Sequence, residues 1–151
     1  MLKVGDLAPD FALLDSEGRE VSLQSLRGRR VALYFYPKDN TAGCTRQACA
    51  FAGAYDTYEK RNIAVVGISR DSAASHKKFK EKYSLPFTLL SDPDHAVTEA
   101  YGAWQEKVTC GKRAMGVVRT TYLLDEEGVI THALPRVKPD TNAEEILALL
   151  S

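Results

Sequence analysis

The hydrophobic pattern is sharpest at Val31 to Tyr36, an unbroken apolar and aromatic run that stops at Pro37. A polar loop follows, and from Gly43 and Cys44 onward the apolar positions Ala48, Phe51, Ala52 and Tyr55 recur at helical spacing. A short run closed by proline and succeeded by a helical period predicts a strand feeding a helix through a short loop. Four residues before Ala48 lies Cys44, so that thiol falls in the first helical turn, on the face turned toward the sheet. The helix is expected to extend to about Lys60.

Further elements follow the same logic. Phe11 to Asp15 and Glu20 to Leu23 flank Ser16-Glu17-Gly18 and predict an N-terminal β-hairpin. Ile63 to Ser69 is β-branched and continuous, the profile of a strand buried on both faces. Asp71 or Ser72 can cap a helix running to about Tyr83, in which Phe79 and Tyr83 stand four residues apart. Phe87 to Leu90 predicts a third strand, and Ser91-Asp92-Pro93 opens a short helix reaching about Tyr101. Gly102 to Met115, rich in Gly and Lys and holding Trp104 and Cys110, predicts an irregular loop. Val117 to Leu124 and Val129 to Leu134 alternate around Asp125-Glu-Glu-Gly128, which predicts an antiparallel hairpin. Thr141-Asn-Ala-Glu144 has the capping-box pattern before a last helix carrying Ile146, Leu147, Leu149 and Leu150. Strands alternating with helices pair in parallel, and the closing hairpin adds antiparallel strands. The expected fold is α/β, with a mixed central sheet, helices on both faces and the ligand site beyond the carboxyl ends of the strands, where Pro37 to Cys44 lies.

Composition narrows the function classes. The 151 residues suit a single domain spanning 1–151. Lys plus Arg equals Asp plus Glu at 20 each, so no global charge favours nucleic acid or an anionic membrane. His76 to Lys82 therefore predicts the solvated face of a helix rather than a nucleic-acid patch. No apolar stretch reaches signal-peptide or membrane-span length, and a cytoplasmic location is expected. Three cysteines do not make a disulfide framework, which leaves catalytic or redox-sensing thiols. His76, His95 and His132 lie on separate elements without ligand spacing, and no phosphate loop is present; neither metal nor cofactor is expected.

Cys44 is the best nucleophile in the chain. The free N–H groups at a helix start carry roughly half a positive charge and favour thiolate over thiol, whose ordinary pKa is about 8.5. A buried free cysteine acting as a small hydrophobe is the alternative.

The surroundings of Cys44 favour the nucleophile. Pro37-Lys-Asp-Asn-Thr41-Ala-Gly-Cys44 resembles the Pro-x-x-x-Thr-x-x-Cys motif of the peroxiredoxins, and Cys44-Thr-Arg-Gln-Ala-Cys49 resembles their Q-type branch, the bacterioferritin comigratory proteins. Gly5 to Phe11, Ser91-Asp92-Pro93 and Gly116 to Tyr122 extend the resemblance over the whole chain, although the family commonly has Pro where Ala42 stands. The resemblance implies a thioredoxin-like fold and thiol-dependent reduction of hydrogen peroxide and organic hydroperoxides. It implies that Arg119 holds the Cys44 thiolate, while Thr41 and the first-turn N–H groups stabilise the leaving oxygen and Pro37 shields the sulfur.

A sulfenic acid formed on Cys44 condenses with a second thiol, for which Cys49 is the candidate. Five residues apart in an intact helix, two Cα atoms lie about 8.7 Å apart. A disulfide needs about 4.4 to 6.8 Å. The first turns must unwind in each cycle, which would also expose the disulfide to a dithiol such as thioredoxin or a glutaredoxin-like reductant. With both thiols on one chain, a monomer suffices. Cys110 is expected to be a spectator, with an alternative resolving or regulatory role open. Two competing readings remain: a general thiol–disulfide oxidoreductase, disfavoured by the lack of Cys-x-x-Cys, and a thioredoxin-like binding or holdase module.

Overall fold

A computed structural model describes residues 1–150, the Thr109 side chain aside. The elements run β1 (Ala12–Asp15), β2 (Glu20–Ser22), a 3-10 turn (Gln24–Leu26), β3 (Arg30–Phe35), α1 (Ala42–Gly53), α2 (Tyr55–Lys60), β4 (Ile63–Ser69), α3 (Ala73–Tyr83) and β5 (Thr88–Ser91). They continue with α4 (Ala96–Ala100), β6 (Trp104–Thr109), β7 (Lys112–Val117), β8 (Thr120–Leu124), β9 (Ile130–Leu134) and α5 (Asn142–Leu149). Seven strands form one mixed sheet in the order β2-β1-β5-β4-β3-β8-β9. β3, β4 and β5 are parallel, while β1 and β8 join them antiparallel.

Side-chain alternation along β3 divides the core in two. Val31, Leu33 and Phe35 face a cluster with Phe11, Leu90, Tyr101 and Tyr122, against which Val97 of α4 packs. Ala32, Tyr34 and Tyr36 face the other cluster, with Ala48 and Phe51 of α1, Tyr58 of α2, Phe79 of α3 and Ile146 of α5. Burial on both faces explains the continuous apolar strands. At the sheet's centre Tyr34 lies across Gly67, where a Cβ would come within 2.8 Å of its ring.

Four local expectations are corrected. The helix expected to reach Lys60 breaks at Ala54 (φ −99°, ψ 4°), just after Gly53, a weak helix former. Gly102 to Met115 is not an irregular loop. Most of it forms the β6–β7 hairpin, a separate two-stranded sheet whose turn, Cys110-Gly111, has both residues at positive φ, as a tight hairpin turn demands. The expected strand Val117 to Leu124 is interrupted at 118–119, because the Val118 amide turns to the Ala103 carbonyl while Thr120 enters the main sheet beside Phe35. Thr141 precedes α5 as expected, but its hydroxyl does not cap the helix.

Candidate active site

The carboxyl ends of β3, β4 and β5 converge with the start of β8, and the site assembles there. β3 leads into Tyr36-Pro37-Lys38-Asp39-Asn40, and α1 begins after Thr41. Cys44 is the third residue of α1 and is 2% exposed, packed with Tyr34 and Tyr36. Cys49 is exposed on the same helix, and both thiols are free while the helix is continuous.

The thiol's setting is cationic. Thr41 does not cap α1; its hydroxyl donates to the Lys38 carbonyl at 3.0 Å, so no N-cap side chain competes for the first-turn N–H groups around Cys44. Arg119, in the break between β7 and β8, donates from Nη2 to Cys44 Sγ at 3.5 Å. Its Nη1 donates to Gln47 Oε1 at 2.6 Å, and Gln47 Nε2 donates in turn to Asn142 Oδ1 at 3.0 Å. Thr121 Oγ1 donates to the same Asn142 oxygen at 3.0 Å, leaving Asn142 Nδ2 without a partner among the described residues. The absence of a side chain at Gly43 eases this approach, since a Cβ there would sit in a tight contact 3.3 Å from Nη2. Pro37 is half-buried in the same loop, where it contributes no N–H.

The structure thus brings Cys44 and Arg119 together, sets Pro37 and Thr41 on the adjoining loop, and leaves Cys49 on the outer side of α1. Sequence reasoning gave Gln47 and Asn142 no part in the site, and saw Gly43 only as a backbone N–H at the helix start. Gln47 carried a signal, since it lies three residues after Cys44 on the inward face yet is polar.

A second polar cluster lies beneath the loop. Burial first, then neighbouring charge that includes Asp39, pushes the Tyr34 and Tyr36 hydroxyls well above the usual tyrosine range, so Tyr36 stays protonated and donates to Asp39 Oδ1 at 2.6 Å. His76, expected on a solvated helix face, is instead fully buried and meets Asp39 Oδ2 at 2.7 Å.

A buried thiol at a helix start, within hydrogen-bond reach of a guanidinium at the strand ends of a mixed sheet, is the arrangement of a thiol-dependent enzyme. The sequence profile of the AhpC/TSA family matches residues 4–133. A peroxiredoxin bcp of Coxiella burnetii is 48% identical over 149 residues, covering 99% of each chain. Peroxiredoxin Bcp of Escherichia coli is 43% identical over 146 residues, 97% of this chain and 94% of that one. The bacterioferritin comigratory protein of Xanthomonas campestris, described as having alkyl peroxide reduction activity, superposes with a TM-score of 0.90. It is 35% identical and the match covers 99% of this chain and 95% of that one. The chain belongs to the AhpC/TSA family and, within it, to the peroxiredoxins of the Bcp or Q type. Its activity is that of a thiol-dependent peroxidase.

Proposed function

We propose that this chain, acting as one domain over residues 1–151, reduces hydrogen peroxide and organic hydroperoxides at Cys44. Cys49 resolves the product, and a thioredoxin- or glutaredoxin-type dithiol recycles the enzyme. The observation that carries this reading is the approach of Arg119 Nη2 to within 3.5 Å of Cys44 Sγ at the start of α1. The thiolate attacks one peroxide oxygen, the O–O bond breaks, and the departing oxygen leaves as hydroxide or alkoxide and takes a proton from water. Sulfur is oxidised to the sulfenic acid. Arg119, the N–H groups of Gly43 and Cys44, and the Thr41 hydroxyl once it turns its one hydrogen from the Lys38 carbonyl to the substrate, stabilise the charge moving onto the leaving oxygen, while Pro37 limits water at the sulfur.

The Cys49 thiol then attacks the Cys44 sulfenic acid, forming the disulfide and releasing water. An external dithiol reduces that disulfide and is itself oxidised. The alkyl peroxide chemistry ascribed to the X. campestris relative supports the wider substrate range. Because both thiols sit on one helix, a monomer completes the cycle. Among the described residues no helix is long and apolar enough to cross a membrane, and a cytoplasmic location fits the dithiol reductants.

The test is peroxide-dependent NADPH consumption coupled through thioredoxin and its reductase. Cys44→Ser should abolish it, and Cys49→Ser should keep one turnover per protein while losing recycling. Normal cycling in Cys49→Ser together with failure in Cys110→Ser would move the resolving role to Cys110. Size-exclusion chromatography checks the monomer.

A further inference from the structure

His76 has no part in the chemistry described so far, yet it lies wholly buried on α3 beneath the peroxide-binding loop. Its Nε2 faces the Leu90 carbonyl at 3.0 Å, and a carbonyl can only accept, so Nε2 carries a hydrogen. Its Nδ1 faces Asp39 Oδ2 at 2.7 Å and the Tyr36 hydroxyl at 3.4 Å. Two lone pairs would repel at 2.7 Å, so a proton lies between Nδ1 and Oδ2. Asp39 also takes hydrogen bonds from Tyr36 on Oδ1 and, at 2.8 Å, from Ser75 Oγ on Oδ2. Every polar atom of the pair has a partner, and the two side chains are 0% and 3% exposed. A pair this enclosed is rigid, because breaking one bond leaves a polar group without water to replace it.

The pair acts on the loop from below. The Asp39 amide donates to Asp71 Oδ2 at 2.8 Å, and Ser69 Oγ donates to the same oxygen at 2.7 Å, which ties the loop to the end of β4. Asn40 sits at φ 60° and accepts from Lys82 Nζ at 3.3 Å and Tyr83 Oη at 3.2 Å, again from α3. Thr41 is tied back into the loop by its hydroxyl on the Lys38 carbonyl, and forward to α1 by the Thr45 amide on its own carbonyl at 2.8 Å. Arg119 reaches Cys44 from the segment just before β8, alongside Gln47, and among the described residues it shares no hydrogen-bond partner with this cluster.

We propose that His76 is a positioning residue for peroxide reduction: through Asp39 it clamps residues 37–41 to α3 and β5, and so places Thr41 and Pro37 against the incoming peroxide. This inference rests on the peroxidase reading above. It separates two properties that a general loosening would change together. The immediate surroundings of the Cys44 sulfur are the helix start and Arg119, whereas peroxide alignment depends on the clamped loop.

The test uses the reduced full-length protein and two measurements. One is the second-order rate constant for hydrogen peroxide by stopped flow; the other is the pH profile of Cys44 alkylation by iodoacetamide, read on the Cys44 peptide. His76→Phe should lower the peroxide rate constant about 10- to 100-fold, the usual consequence of sub-ångström to ångström misplacement, and leave the alkylation profile in place. His76→Asn, whose carboxamide can still donate to Asp39, should recover at least about a third of the wild-type rate. If His76→Phe does not fold, Asp39→Asn carries the test, with a loss in the same direction expected. A folded variant that keeps the peroxide rate within twofold, or loses alkylation and peroxide reactivity in parallel, overturns the clamp. An inactive wild-type protein overturns the peroxidase reading, and the clamp with it.

Discussion

The loop and the helix that meet at Thr41 are held in different ways. Residues 37–40 are fastened through a buried His–Asp pair, a second carboxylate and two side chains of α3. The first turns of α1, which carry Cys44, pack into the core through Cys44 and Ala48, and their side-chain hydrogen bonds are the Gln47 bridge between Arg119 and Asn142 and, at the surface, Arg46 to Asp140 at 2.6 Å. One side of the site is fixed and the other is only latched. That asymmetry is what a helix needs if it is to unwind and refold around a stationary binding loop.

The latched side breaks most severely at Arg119. Arg119→Met should lower the peroxide rate constant about 100- to 1,000-fold, the usual scale for removing one preorganised donor at a developing charge, and should slow Cys44 alkylation as well. Both effects together set it apart from the His76 variants, where only the first is expected. Next comes the latch itself. Asn142→Ala strands two buried donors, Gln47 Nε2 and Thr121 Oγ1, and should destabilise the reduced protein by about 1–3 kcal/mol in urea titration. It should also speed disulfide closure, since less holds α1 together. In the Cys44–Cys49 disulfide form, amide exchange should show residues 41–50 unprotected, against a protected helix in the reduced form; an unbroken helix in both would refute the unwinding. The smallest effect is at Arg46. Its partner Asp140 and Arg46 itself are both more than half exposed, so Arg46→Ala should cost under about 1 kcal/mol and leave turnover unchanged.

The same contrast explains what was legible in the sequence. β3, the loop and the start of α1 announce themselves because a fully buried strand, a proline and a helical period lie end to end within about twenty residues. The candidate thiol and its motif therefore stand out in the sequence. The clamp was not, because His76 hides among lysines and its partner Asp39 lies 37 residues away. Only the folded chain shows that His76 occupies the inward face of α3 with Phe79. Gln47 and Asn142, 95 residues apart, meet for the same non-local reason. The β6–β7 hairpin escaped for a different one. It pairs only with itself, and Val108 and Met115 stay exposed among Glu106, Lys107, Lys112 and Arg113, so no buried face imposes an alternating apolar pattern. The Cys110-Gly111 turn was its one local sign, and it leaves Cys110 exposed at the hairpin tip.

Gly43 carries a last consequence. Inside a helix glycine costs up to about 1 kcal/mol relative to alanine, so a chain optimised for durability alone would hold alanine at this position. A methyl group there would sit 3.3 Å from Arg119 Nη2, so the guanidinium that touches the sulfur would have to give by a few tenths of an ångström. The chain thus accepts a weaker helix former where it leaves the guanidinium its room, and a screen for stability alone would have no reason to keep that glycine.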